Sequence, residues 1–399
     1  MKNNRFLIPL SLVFTLFILW AISSNLLPTM IRQLMKTCEL NAFEASFTES
    51  AYWLAYFICP IPIAMFLKRF SYKAGIIFGL SLAAFGAFLF FPATEINEYG
   101  VYLSIFFIIA TGMCFLETAA NPYVTSLGDP DTAPRRLNLA QAFNGLGAFI
   151  AAMFLSKAVL QSGNFSKVYI ILGSILIVAA LIFALYKLPK TADEEEQDQQ
   201  VKKSYCGDTK LIDFSVLRHS HLRWGVIAQF FYNGGQTAIN SLFLVYCCVY
   251  AGLDEATATT YFGIYMLCFL VGRWIGTLLM GRFAPHNMLT VYAIANVILC
   301  AIIVCCGGKV GLYAMMAISF FMSIMYPTQF SLALTNLGSQ TKSGSAFLVM
   351  AIVGNACVPQ FTAYIMHHNA EIYHIAYLIP LVCFAVCAYY GWRGYKIKA

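Results

Sequence analysis

The chain of 399 residues is 60% hydrophobic, 16% aromatic and only 11% charged, with a formal net charge of +7. A soluble domain carries about 25% charged residues to clothe its surface, so this composition excludes cytosolic enzymes, nucleic-acid binders and secreted disulfide scaffolds and puts the chain in a bilayer. In a membrane protein the positive excess reports topology and needs no anionic partner.

A helix needs about 20 residues to cross about 30 Å of hydrocarbon. Twelve apolar runs of that order follow one another, at 6–27, 45–67, 73–92, 99–122, 137–159, 167–187, 222–250, 257–280, 287–306, 310–334, 344–366 and 372–392. The first is too long for a cleaved leader and ends without a small-residue cleavage site, so it is expected to remain as a span. The expected fold class is an all-α integral membrane protein of twelve transmembrane helices.

An ionised side chain at mid-bilayer costs about 2.5 to 3.5 kcal/mol, which makes an intramembrane acid a functional candidate. Of the 18 acids only Glu49 and Glu117 fall inside the runs. Glu49 stands about one turn from the outer end of the second run, where a carboxylate hydrates cheaply. Glu117 stands deep in the fourth, within Cys114-Phe115-Leu116-Glu117-Thr118-Ala119-Ala120-Asn121-Pro122-Tyr123. A carboxyl in a narrow cavity can take a proton while facing one side and release it while facing the other. Glu117 is therefore the candidate for proton coupling, with a structural hydrogen-bonding role as the alternative.

Further along, Gln141 and Asn144 in the fifth run lie three apart on one helix face. Amides both donate and accept, which is what the hydroxyls of a neutral sugar require. Gln229, Asn233, Gln236 and Asn240 form a polar stripe at helical spacing on the seventh run, able to contact solute or to join helices. The eighth run contains Gly272-Arg273-Trp274-Ile275-Gly276 and the tenth Tyr326-Pro327-Thr328-Gln329. Most of the 13 cysteines lie in apolar runs, and the doublets Cys247-Cys248 and Cys305-Cys306 lack metal or redox spacing, so they read as packing residues. The 6 histidines show no metal-ligand spacing. No nucleophile with a paired base appears in the runs, so an enzyme is not expected.

Lysine and arginine stay on the cytoplasmic side. With the N-terminus inside, 19 of the 25 basic residues fall on that side, from Lys2 and Arg5 through Lys68, Arg69 and Lys73 to Arg393 and Lys398. Both termini are thus expected in the cytoplasm. The longest polar stretch, with Asp193-Glu194-Glu195-Glu196 and Lys202-Lys203, reads as a solvated linker. It divides the chain into an N-terminal six-helix half (1–187), a cytoplasmic linker (188–221) and a C-terminal six-helix half (222–399). The halves echo each other. Lys68-Arg69-Phe70 and Gly281-Arg282-Phe283 stand 213 residues apart, and Thr125-Ser126-Leu127-Gly128 and Thr335-Asn336-Leu337-Gly338 stand 210 apart, favouring a duplicated six-span unit.

Six plus six spans about a cytoplasmic linker resembles the major facilitator superfamily, whose halves rock about a site near the membrane midplane. More narrowly, Phe115-Leu116-Glu117-Thr118-Ala119-Ala120-Asn121-Pro122-Tyr123-Val124-Thr125, Arg136-Leu137-Asn138-Leu139-Ala140-Gln141-Ala142-Phe143-Asn144, Pro60-Ile61-Pro62 and Met322-Ser323-Ile324-Met325-Tyr326-Pro327-Thr328 resemble the fucose permease (L-fucose–proton symporter) group. The resemblance implies a transporter of the bacterial inner (plasma) membrane that imports a deoxyhexose or related hexose with a proton, through a cavity lined by both halves. It implies Glu117 as the proton-coupling residue and Asn25, Gln141, Asn144 and Tyr326 as sugar contacts, to which the polar stripe adds Gln236 and Asn240. Where that group carries an aspartate in the first span, this chain has Pro28. An uncoupled carrier of a sugar or other small solute is therefore the alternative, with a transporter-like sensor third. The expected partners are a small sugar, a proton and the lipid bilayer, with no metal, no cofactor besides the proton and no nucleic acid, and the expected state is a monomer.

Overall fold

A computed structural model describes residues 7–40, 42–155, 165–191, 194–195, 213–368 and 370–397. Each of the twelve apolar runs is mostly helical over its described residues, with short breaks and frayed ends. Helix is what a bilayer demands, because backbone polar groups find no water there and must bond within their own segment.

The first run continues past its expected end. The helix Leu7–Asn25 is followed at once by Leu27–Thr37, because Pro28 occupies the opening turn of the second piece, where a missing N–H breaks no bond. The second span bends by 43° between Phe47–Ile58 and Pro60–Arg69, again at a proline. The third and fourth are Tyr72–Ile96 and Tyr99–Ser126. The fifth, Ala133–Ile150, runs into the π-helical turn Ala151–Leu155, and its expected end, with Lys157, lies outside the described residues. Phe165–Leu185 is the sixth. In the second half the helices are Ser220–Val245, Glu255–Leu279 and Pro285–Cys306, then a tenth broken into Gly308–Met322 and Met325–Ala333, an eleventh divided into Thr341–Met350 and Gly354–His368, and finally Leu378–Tyr389. Among the described residues nine helices are long and apolar enough to cross a membrane, or ten with the bent second pair taken as one. The seventh is not one of them, because its amide stripe dilutes the apolar run.

The chain packs as two compact units: 1–133 with 143–214 and 336–350, and 134–142 with 215–335 and 351–399. The first unit therefore includes the opening part of the eleventh span, and the second the opening part of the fifth. In the first unit the third and fourth spans cross at small residues. A Cβ added to Gly112 would lie 2.7 Å from the Ala83 nitrogen and 2.8 Å from the Gly79 oxygen. Between membrane helices, where lipid is as apolar as leucine, such close backbone contact supplies the attraction.

The described part of the acidic stretch is not a free linker. Glu194 accepts the Tyr72 N–H at 2.9 Å, at the N-terminus of the third helix, and the Tyr123 hydroxyl donates to the Pro189 carbonyl at 3.1 Å. A carboxylate suits that helix end because the unpaired N–H groups there carry partial positive charge. At the far end of the stretch Gln340 donates to Asp213. Asp193, Glu196, Lys202 and Lys203 lie outside the described residues. The second unit is built around the seventh helix, with apolar clusters such as Ala238, Val358 and Cys383 beneath Phe230 and Phe231. Gly112→Val should drive the third and fourth spans apart: detergent-extracted protein is expected to lose its monodisperse peak in size-exclusion chromatography, and a wild-type profile would contradict the crossing.

Candidate functional site

A proline determines the surroundings of the buried acid. Pro122 has no N–H, so the carbonyl of Thr118, four residues back, loses its helical donor. Ser345, from the opening part of the eleventh span, supplies one: its hydroxyl donates to the Thr118 oxygen at 3.0 Å. Glu117 immediately precedes that carbonyl and is 4% exposed. Tyr52 and Tyr56 of the second span are buried in the same unit, and Cys114 lies one turn back on the fourth span. Tyr52 in turn donates to the Ser24 hydroxyl of the first span at 3.0 Å.

Asn25, next along, is exposed and spends its Nδ2 on the Ala21 carbonyl at 2.8 Å, leaving its oxygen outside that bond. Asn144 reaches the same helix from the fifth span, donating to the Phe17 carbonyl at 3.3 Å. In the first unit Asn25 stands on the first span, Asn144 bonds that span's backbone, and Glu117 is buried in the fourth. Glu49 is exposed and accepts from the Trp53 indole at 3.4 Å, one turn along its own helix.

The other expected residues fall in the second unit. The unit boundary runs between Ala142 and Phe143, so Gln141 and Asn144, one turn apart, belong to different units. Gln141 is buried, and its backbone carbonyl accepts from Arg273 Nη1 at 2.8 Å. Asn138, one turn earlier, donates to the Pro134 carbonyl at 2.8 Å and to the Thr328 hydroxyl at 3.0 Å. Tyr326 is buried, with its ring 6.4 Å from that of Tyr232.

Along the seventh helix the polar stripe divides. Gln229 and Asn233 are buried, and Asn233 donates back to the Gln229 carbonyl at 2.7 Å. Gln236 and Asn240 are half-buried, and the Asn240 side-chain oxygen accepts from the Tyr265 hydroxyl. Ser345, Asn138, Tyr52 and Tyr56 escaped the reading of the sequence. For Ser345 a signal existed: a proline inside a membrane helix, past its opening turn, orphans the carbonyl four residues before it and creates a need for a side-chain donor.

The first unit offers a deeply buried carboxyl, a group able to exchange a proton, and the second a tyrosine with amides, groups able to bond the hydroxyls of a neutral polyol. The sequence pattern of the Major Facilitator Superfamily matches residues 10–359. The chain belongs to the major facilitator superfamily. This superfamily member is 40% identical to the L-fucose-proton symporter of Escherichia coli (strain K12), covering 96% of the chain and 92% of that relative. It is 35% identical to a glucose/galactose transporter of Brucella abortus biovar 1 (strain 9-941), again over 96% and 92%. A crystal structure of FucP superimposes with a TM-score of 0.88 at 38% identity, covering 99% of this chain and 100% of that one. The proton:xylose symporter XylE, at 16% identity and a TM-score of 0.74 over 99% and 97%, shares the fold.

Ser345→Ala should leave the Thr118 carbonyl without a donor in a medium that offers none. The expected cost is about 1 kcal/mol, read as a fall of about 1 to 2 °C in the Tm of purified protein; an unchanged Tm would contradict the assigned bond.

Proposed function

We propose that this member of the superfamily is a multi-pass importer of the bacterial inner membrane that carries L-fucose or a related hexose together with a proton, by alternating access. The observation that carries the reading is Glu117, an acid 4% exposed and deep in the fourth span, in a chain 40% identical over 96% of its length to an L-fucose-proton symporter. An acid at that depth is expensive to keep unless it does something. Exchange of a proton is chemistry that a buried carboxyl can supply there.

In this reading Asn25, Gln141, Asn144, Gln236, Asn240 and Tyr326 hold the hydroxyls and ring of the sugar. Asn240 shares its oxygen with Tyr265 and so acts as a fixed acceptor rather than a free amide. The moving bodies are the six-helix halves 1–187 and 222–399, joined by the cytoplasmic segment 188–221, with both termini inside and the monomer as the working unit. One charge moved through ~100 mV yields about 2.3 kcal/mol, enough for a sugar gradient of roughly 50-fold. An uncoupled carrier is the second reading, favoured by Pro28 at the place where the resemblance sets an aspartate. Sugar counterflow with no accompanying proton movement distinguishes it.

A panel of hexoses and deoxyhexoses tested for binding to purified protein should find L-fucose or a close relative among the ligands; a panel without a binder would overturn the substrate class. Glu117→Gln in proteoliposomes is expected to abolish accumulation against a gradient while sparing exchange of labelled for unlabelled sugar. Accumulation at the wild-type level in that variant would remove Glu117 from its role.

A further inference from the structure

The tenth span is broken beside Tyr326, and the break follows from sequence chemistry. Pro327 lacks the N–H that would close on the Ser323 carbonyl, and the first helical piece ends at Met322. In the bilayer the freed carbonyls need donors. Two side chains of the same compact unit provide them: Arg273 Nε donates to the Ser323 oxygen at 2.8 Å, and the Tyr232 hydroxyl donates to the Met322 oxygen at 2.8 Å.

The eighth helix is shaped for this approach. A Cβ on Gly272 would lie 2.6 Å from the Phe320 oxygen, and one on Gly276 would lie 2.4 Å from Ile324 Cγ2. Only glycines at these two positions let Arg273 stand directly over the break. A guanidinium belongs there, since the C-terminal carbonyls of a half-helix carry partial negative charge. Its planar fork also serves two acceptors at once, and the second is the Gln141 carbonyl, 2.8 Å from Nη1. The Phe269 ring, 4.5 Å from the guanidinium carbon, covers another side. Arg273 is 5% exposed, so what it spends in desolvation is recovered through fixed backbone partners.

We propose that Arg273, assisted by Tyr232, is a positioning residue for the solute site. It replaces the amide that Pro327 lacks, locks the break of the tenth span so that Tyr326 stands at a fixed angle, and ties the backbone of Gln141 to the same guanidinium. This inference rests on the assignment of Tyr326 and Gln141 to sugar binding.

Two measurements test it. The first is a stability cycle on the full chain, comparing the fall in Tm caused by Arg273→Met in the native background and in Pro327→Ala, where the alanine amide can bond the Ser323 carbonyl. The expected fall with Pro327→Ala is about half or less of that in the native background; equal falls in both overturn the proposal. The second is transport kinetics in proteoliposomes with whichever sugar the wild-type protein carries. Arg273→Lys keeps the charge but not the fork, and should raise KM about tenfold or more with kcat within about threefold. Tyr232→Phe, which removes one hydroxyl only, should raise KM severalfold and serves if the arginine variants do not fold. Wild-type KM in both variants, or in Tyr232→Phe when the arginine variants do not fold, overturns the positioning role. A wild-type protein that carries no sugar contradicts the proposed function instead, and the stability cycle still decides the pairing of Arg273 with the proline break.

Discussion

A backbone carbonyl deprived of its helical donor inside a bilayer must find another or leave the fold uneconomical, and this chain creates that situation beside both of its central functional candidates. Pro122 opens the carbonyl of Thr118, next to Glu117. Pro327 opens that of Ser323, three residues before Tyr326. Neither can turn to water. Ser345 answers the first at 3.0 Å and Arg273 the second at 2.8 Å. The identity of the donors, one hydroxyl and one guanidinium, sets how firmly each break is held, since a charged donor makes the stronger bond.

The same requirement accounts for the membership of the compact units. The opening part of the eleventh span, which carries Ser345, packs in the first unit with the fourth span; the opening part of the fifth, which carries Asn138 and Gln141, packs in the second with the eighth and tenth. Asn138 and Ser345 stand 207 residues apart, close to the offsets of 210 and 213 that relate the loops of the two halves. Each reaches a span that carries a proline. The two contacts differ in kind: Ser345 serves the carbonyl that Pro122 orphans, whereas Asn138 donates to the Thr328 hydroxyl and leaves the Ser323 carbonyl to Arg273. Interhelical hydrogen bonds of this type are worth about 0.6 kcal/mol on average and at most about 1.7, small enough for a cycle of transport to break and remake them.

Much of this was legible in the sequence. The twelve apolar runs are helices, because their length and hydropathy leave the backbone no other choice in lipid. Glu117 announced itself as an acid where acids are costly. The extension of the first helix through Pro28 lay beyond the apolar run that marked the span, and in an opening turn that proline breaks no bond. The docking of Glu194 on the third helix was hidden in a charge run that composition alone describes as solvated. Least legible were the donors: Ser345 is 227 residues from Thr118 and Asn138 is 190 from Thr328. No local pattern couples positions so far apart, although the proline rule names the Thr118 carbonyl that Ser345 answers.

In the proposed function Glu117 and Tyr326 serve a transporter in which the bound proton and the bound sugar travel together, despite the proline that stands where the resemblance sets a second acid. The most direct test of that account is the pH of a weakly buffered suspension of cells or proteoliposomes bearing this protein when L-fucose is added without any imposed gradient. The account predicts alkalinisation of the medium as sugar and protons enter together. Uptake of sugar with no change in external pH would contradict it.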